Sequence, residues 1–335
     1  MIEVGIVGLG NIGRRHAAYI NGLEGINIKA LCETKNQALE TTSSLYPNAI
    51  TANMFDEMLA IDGFNLIDIC TPHHLHKEMA IEAAERGYNV LVEKPMALTS
   101  VDCKEMISAA SKNKVKLYVM KQNRFNVPVA LVDKVINDGV LGKIYQTHCN
   151  VFWNRNIEYY SMSDWRGRKS TEGGALFTQA SHFIDLMIWW FGDVVESKTF
   201  LKNYFQPIEF EDSGLSLLQF SDGVEGTLNW TTCVYNKNYE GSITIIGENG
   251  TIKIGGPYLN KIEFWDVKSY PLPTNINFAD TPNSYGKYQG TSSNHDKVFC
   301  EIIKDLNGQA GLVVEGFEGI RSVEAIEKIY ASAKS

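Results

Sequence analysis

No apolar run in this chain approaches the roughly 18 residues that a membrane span requires; the run Phe183 to Phe191 is too short and carries Asp185. No basic block exists either. The 31 Lys and Arg stand against 39 Asp and Glu, a net charge of −8, so no cationic stripe is available to neutralise a phosphate backbone. Membrane and nucleic acid are therefore not expected partners. There is no Cys-x-x-Cys pair: Cys32, Cys70, Cys103, Cys149, Cys233 and Cys300 lie far apart, which suits reduced core thiols rather than a zinc site or a disulfide frame. The amino terminus lacks the charged region and small-residue cleavage site of a signal peptide and enters a strand-like run at once. The expectation is a cytoplasmic protein.

With 335 residues, 44% hydrophobic and 21% charged, the chain has the makings of a globular protein of two domains, since single cores rarely grow past about 250 to 300 residues. Ile2 to Val7 reads as a buried strand, followed by Gly8-Leu9-Gly10-Asn11-Ile12-Gly13 and a helical pattern through Ile20. G-x-G-x-x-G between strand and helix is a dinucleotide fingerprint. Its first glycine permits the tight turn, its second lets a pyrophosphate approach, and its third lets helix and strand pack. Ile26 to Leu31 reads as the next strand, and Glu33 stands at its end, twenty residues after Gly13. A carboxylate there accepts hydrogen bonds from a ribose diol and repels a 2′-phosphate, so NAD is expected over NADP, with Lys35 the nearby cation.

Helices at about Lys35 to Leu45 and Asn53 to Ala60 precede the strand Leu66 to Cys70. Thr71-Pro72-His73-His74-Leu75-His76 follows that strand, at the position where open α/β sheets bind ligands. Its three histidines lack the Cys or carboxylate neighbours of a metal site, and no metal is expected. After a helix at Lys77 to Arg86 and the strand Asn89 to Val92 come Glu93-Lys94-Pro95. A lysine at a strand's carboxyl end, desolvated beside apolar walls, can exchange a proton with a substrate hydroxyl. Proline confines Lys94 to extended geometry. A helix at Thr99 to Ser111 and a strand at Val115 to Met120 close the domain.

The series GLGNIG, Glu33, TPHHLH, EKP resembles the glucose-fructose oxidoreductase/inositol dehydrogenase (Gfo/Idh/MocA) superfamily over the whole amino-terminal domain. The resemblance implies that Lys94 is the active-site lysine, that Pro95 follows a cis peptide, and that Thr71, Pro72 and His76, with Glu93, lie along the dinucleotide. It also implies a carboxy-terminal sheet whose open face packs on another subunit, giving a homo-oligomer, dimer or tetramer.

In the second half, Pro128 to Asp138 reads as helix and Lys143 to Trp153 as a long strand. Gly173-Gly174 leads into a nearly all-apolar helix, Ala175 to Phe191, on which Thr178, His182 and Asp185 are spaced to form one polar stripe. In the superfamily a glycine pair followed by D-x-G-x-H carries the catalytic histidine, and His182 matches it, with Thr178 where most members have Asp. The strands Ser216 to Phe220, Val224 to Thr232, Ser242 to Ile246 and Thr251 to Ile254, the last two joined across Glu248-Asn249-Gly250, imply a largely antiparallel sheet. Tyr270 to Gly290 reads as a loop, and helices are expected near Ser293 to Leu306 and Glu315 to Ala333.

Lys121 to Phe125, Val151 to Arg155, Tyr159-Tyr160, Ser163 to Gly167, Gln179 to His182 and Glu240 to Ile245 look like the UDP-N-acetylglucosaminuronate 3-dehydrogenases of bacterial surface-polysaccharide synthesis, a subgroup with Asn at the position of Thr178. Arg124, Arg155, Arg166 and Arg168 suit a substrate that carries a carboxylate and a diphosphate. The expected substrate groups are Asn123, Arg124, Arg155, Tyr160, Trp165, Arg166, Thr178, Gln179 and His182, with Lys94 and His182 catalytic on the two walls of one cleft.

The expected architecture is an α/β Rossmann domain with a parallel sheet (residues 1–122) and an α+β domain with a large, mostly antiparallel open sheet (residues 123–335). The expected activity is NAD-dependent oxidation of the C3 hydroxyl of a nucleotide-linked sugar acid. Its alternatives are a dehydrogenase of a free sugar or inositol, and an NAD-binding sensor without turnover.

Overall fold

The computed structural model describes residues 1–274, 282–284 and 289–334. Ile2–Val7 (β1), Ile26–Cys32 (β2), Ile50–Ala52 (β3), Leu66–Ile69 (β4), Asn89–Val92 (β5) and Leu117–Val119 (β6) form one parallel sheet in the order β3-β2-β1-β4-β5-β6. Every residue of β4 and nearly all of β5 is buried, which is why these strands read as continuous runs rather than as alternations. The connections carry helices Asn11–Asn21 (α1), Asn36–Ser43 (α2), Phe55–Leu59 (α3), His76–Glu85 (α4) and Ser100–Asn113 (α5). Helix α5 starts where Thr99 Oγ1 accepts the Asp102 N–H at 3.0 Å, a side-chain cap for an otherwise orphan donor. The strand order reverses between β1 and β4, so the turns after these two strands meet at the switch point where α/β sheets bind ligands.

The second unit opens with Val127–Asn137 (α6), which tolerates Pro128 in its first turn. Ile144–Phe152 (β7), Ile157–Ser161 (α7), a π-helical turn at Leu176–Ala180, and Ser181–Phe191 (α8) follow. Then come Val194–Lys202 (β8), Ser213–Phe220 (β9), Glu225–Thr231 (β10), Glu240–Gly247 (β11), Gly250–Gly255 (β12) and Lys261–Val267 (β13). With the terminal pair Ala333–Lys334 (β16) they make one sheet in the order β13-β12-β11-β7-β10-β9-β8-β16. Its pairs are antiparallel except β7 with β10 and β8 with β16. Strand β9 alternates, burying Gly214, Ser216, Leu218 and Phe220 while exposing Leu215 and Leu217. The inner face meets α8, where Phe183 rests on Trp153 at 5.7 Å and Phe191 on Phe220 at 5.7 Å between ring centroids.

Within the stretch expected as loop, Pro282–Ser284 (β14) pairs antiparallel with Gln289–Ser292 (β15); residues 275–281 and 285–288 lie outside the described residues. His295–Leu306 (α9) and Gly316–Ala331 (α10) end the chain's helices. The expected boundary at 122/123 needs one correction. The first unit comprises Met1–Lys121 together with His295–Val323, and the second Gln122–Asn294 with Glu324–Ser335. The returning segment belongs to the first unit because it completes its hydrogen bonding: Val119 N–H donates to Val314 O at 2.8 Å and Tyr118 OH to Asp305 Oδ2 at 2.5 Å. No helix among the described residues is long and apolar enough to cross a membrane.

Candidate functional site

The turn after β1 uses its three glycines for three different reasons. Gly8 sits at φ +87°, and a Cβ there would fall 2.9 Å from the Cys70 backbone and 3.0 Å from Thr71 Cγ2. A Cβ on Gly13 would come within 1.9 Å of Gly8 O, whereas one on Gly10 would meet nothing within 4 Å. Gly10 therefore borders open space at the start of α1. No side chain caps that helix and its first turn, Asn11 and Ile12 included, holds no acid, so its N–H groups and positive dipole end suit a phosphate. Glu33 Oε2 accepts the Leu9 N–H at 2.8 Å and Oε1 the Lys35 N–H at 3.0 Å. The carboxylate is thus anchored to the glycine turn and still has lone pairs for a diol. Open cradle, uncapped helix and anchored carboxylate together fit NAD.

The Thr71-Pro72 loop follows β4 beside Gly8, half-buried. His76 is not on that surface. It is fully buried, with Nδ1 2.9 Å from Pro95 O and Nε2 2.9 Å from Thr71 O. Burial pushes its pKa down against those carbonyls, and the ring sits between the Thr71 loop and the Glu93-Lys94-Pro95 turn, its one N–H donating to one of the two. The Lys94–Pro95 peptide is cis. Lys94 is half-buried, and its N–H donates to Glu93 Oε2 at 3.0 Å. Glu93 is buried; desolvation alone would raise its pKa, yet His16, with Lys94 adding to it, holds the carboxyl well below the usual range.

In the second unit the three residues expected as a polar stripe lie on a helix whose first turn is irregular. Leu176–Ala180 is a π-turn, wider than an α-turn, and Ser181–Phe191 continues as α-helix. Thr178 favours the charged form of Glu172. The other two face the short turn Gln122–Phe125: His182 Nε2 lies 3.2 Å from Gln122 Nε2, and Asp185 takes both arms of Arg124, at 2.9 Å (Nε) and 3.0 Å (Nη2). Arg124 is accordingly no free clamp for an anion: its fork is engaged by a buried carboxylate and its plane lies 4.5 Å over Trp189.

Arg155 and Arg166 converge differently. Their guanidinium carbons lie 5.1 and 4.4 Å from the centre of the Tyr159 ring, and Trp153 and Trp165 stand at 5.0 Å from them respectively. Arg155 is buried and donates from Nη1 to Asn154 O and Asn238 Oδ1. Arg168 is exposed. Tyr159 OH accepts from Gln179 Nε2 at 3.3 Å, and Tyr160, its phenol pushed up by burial, reaches Thr232 at 3.5 Å. Glu172 is fully buried behind this group, accepting the Gly167 N–H at 2.6 Å; burial raises its pKa against Gly167, Thr178, Arg166 and Arg155. Asn123 is buried, and neither atom of its amide has a hydrogen-bond partner among the described residues; the same holds for Gln179 Oε1. Buried amides of this kind are strong candidates for ligand contacts.

Four groups escaped the sequence reading: Glu172, His16, Asp68 and His295. Asp68 alone carried a visible signal, a charge in the middle of the buried strand Leu66-Ile67-Asp68-Ile69.

Residues 2–121 match the oxidoreductase family with an NAD-binding Rossmann fold, and residues 129–253 the GFO/IDH/MocA C-terminal domain. The WlbA dehydrogenase from Bordetella pertussis, solved with NADH and UDP-GlcNAcA, is 34% identical with a TM-score of 0.88 and matches over 99% of this chain and 96% of that one. Its counterpart from Chromobacterium violaceum, solved with the same ligands, is 32% identical with a TM-score of 0.90, over 99% and 93%. The chain belongs to the GFO/IDH/MocA family of oxidoreductases, and its first unit is an NAD-binding Rossmann domain. Among curated proteins, an uncharacterized oxidoreductase of Streptococcus pneumoniae is 31% identical over 199 residues, 59% of this chain; the matched part is 53%, about half, of that protein's length.

Proposed function

We propose that this protein oxidises the C3 hydroxyl of a nucleotide-linked sugar acid of the UDP-N-acetylglucosaminuronate type, a step in making sugars for bacterial surface polysaccharide. The observation that carries this reading is the match of both units, over 99% of the chain, to two dehydrogenases solved with NADH and UDP-GlcNAcA. Local chemistry supports it: two guanidiniums, Arg155 and Arg166, crowd one tyrosine ring near Glu172, and guanidiniums suit a carboxylate or diphosphate. NAD, when bound, supplies the hydride acceptor. The chain must then take the hydroxyl proton, because an alkoxide in a dry site is too costly to leave unassisted. Lys94 takes it as general base, with His182 as the second titratable group. Asn123, Gln179, Trp165 and Tyr160 contact the sugar, and Asn11, Ile12, Thr71 and Pro72 line the dinucleotide.

The test is NADH formation at 340 nm with UDP-GlcNAcA, UDP-GlcNAc and free sugars or inositol offered separately. UDP-GlcNAcA should be the preferred substrate, and loss of its carboxylate should lower kcat/KM by at least about tenfold. Turnover of a free sugar with none of the UDP-sugars would overturn the substrate assignment, and no turnover of any secondary alcohol would favour a sensor.

The protein is also proposed to be a homo-oligomer, a dimer or tetramer built on the open face of the large sheet. Phe200 and Leu215, cross-strand partners, and Leu217 are each more than half exposed there, at 66, 57 and 59%, an apolar strip that a second copy would cover. Mass photometry of the parent and of Leu217→Glu reads this out, with a monomeric parent refuting it.

A further inference from the structure

His16 lies on α1, one turn beyond Gly13, and is fully buried. Its Nδ1 is 2.8 Å from Asp68 Oδ2 and its Nε2 is 3.2 Å from Glu93 Oε1. The second of these is an ion-pair contact off the hydrogen-bond line. A neutral imidazole has one N–H and no charge, so it would face one of these two buried anions without a proton and be a cation to neither. The ring is therefore an imidazolium: burial opposes the charge, but Asp68 and Cys70 carry the pKa well above the ordinary histidine value.

His295, the first residue of α9, packs its ring 5.2 Å from that of His16 and places Nε2 3.7 Å from Glu93 Oε1. Burial and the charge on His16 push its pKa down to about 3, so it covers the pair as a neutral wall. Glu93 turns its other oxygen to the Lys94 N–H at 3.0 Å. One continuous chain of contacts thus runs from the glycine-loop helix to the backbone of Lys94.

We propose that His16 is a positioning residue for Lys94: its imidazolium, clamped between Asp68 and Glu93, fixes the Glu93 carboxylate that holds the Lys94 backbone in place. This rests on Lys94 being the base of the proposed reaction. A carboxylate without its buried cation would change rotamer or take up a proton, and either change slackens the Lys94 tether. A displacement of about 1 Å at a reacting group can lower a rate by about a hundredfold.

The experiment compares the parent, His16→Gln, Lys94→Ala and the double variant as NADH complexes. His16→Gln should lower kcat at least about tenfold with KM and NADH affinity within about threefold. In the Lys94→Ala background the same substitution should change the residual rate less than about twofold, because the two act in series. Amide hydrogen exchange at Lys94, read without substrate, should quicken about tenfold in His16→Gln. Unchanged exchange, an equal loss of kcat in both backgrounds, or lost NADH affinity with retained kcat would each overturn the proposal. So would a stoichiometric metal in the purified protein, since His16, Glu93 and His295 set their donor atoms within 4.8 Å of one another and would then be ligands. If His16→Gln does not fold, Glu93→Gln keeps shape and the acceptor for Lys94 while removing the charge, and the same kcat loss is expected. Inactivity toward UDP-GlcNAcA with quickened exchange would sink only the substrate assignment.

Discussion

Arg124→Ala separates a structural guanidinium from a substrate clamp. The Arg124 and Asp185 side chains are 5% and 3% exposed, so solvent screens their ion pair little, and its contact is 2.9 Å with a second arm at 3.0 Å. Truncating one partner of such a pair strands the other charge and costs about 3 to 5 kcal/mol. Loss of the guanidinium over the Trp189 ring adds about 1 kcal/mol. In a domain of about 150 to 250 residues each kcal/mol moves Tm by about 2 to 4 °C, so a fall on the order of 10 °C is expected. Thermal unfolding followed by circular dichroism measures it. Replacing both partners, Arg124→Leu with Asp185→Leu, should recover most of the loss, because apolar substitutes leave no buried charge behind. The reasoning is refuted if Arg124→Ala keeps the parent Tm while kcat/KM collapses, for then the guanidinium serves the substrate.

Lys94→Ala should lower kcat by about a hundredfold or more with NADH affinity within a few fold, and near-parent turnover in stopped-flow assays would remove it from the chemistry. Fluorescence titration should show tighter binding of NADH than of NADPH, with Glu33→Ala narrowing the gap; equal affinities in the parent would contradict the role given to Glu33. Thr178→Asp should not raise kcat, since it sets a second carboxylate toward Glu172, whose charged form Thr178 now favours; a gain in steady-state rate would refute this. Glu211 gives a pH signature: burial lifts its carboxyl to about 7, against hydrogen bonds from Tyr330 OH (2.7 Å) and Trp230 Nε1 (3.3 Å). The folded state then holds a proton that the unfolded chain releases near its ordinary value. That stability is complete below about pH 4.5 and falls as pH rises to about 7, by at most about 1.4 kcal/mol per unit. Urea midpoints of the parent should decline across this window, and Glu211→Gln should flatten the decline.

The parallel strands were legible because burial on both faces writes itself as short apolar runs, and the hairpin of β11 and β12 because Asn249-Gly250 marks its turn. Strand β8 was not, since it exposes most of its residues and carries Glu196, Lys198 and Lys202; neither was β13, an edge strand with little burial to impose a period. Lys94, the proposed base, could be singled out from local context. Partners could not: a sequence displays the charge on Arg124 but not Asp185, 61 positions away. The π-turn has no compositional mark, so Ala175 to Phe191 read as one uninterrupted α-helix.

The late return of His295–Val323 to the first unit has a consequence for how the chain is made. Synthesis proceeds from the amino terminus at about 5 to 20 residues per second, so a nascent chain that has emerged through Lys121 holds all six parallel strands but none of the segment that finishes their edge. Lys121 Nζ awaits Ser322 Oγ, at 2.9 Å when folded, and Lys116 awaits Glu315, at 2.6 Å. Until that segment leaves the ribosome, β6 is an open edge, and the His16 and Glu93 pair lacks the ring of His295 over it. The dinucleotide-binding half, first to be translated, is thus among the last parts of the protein to be sealed.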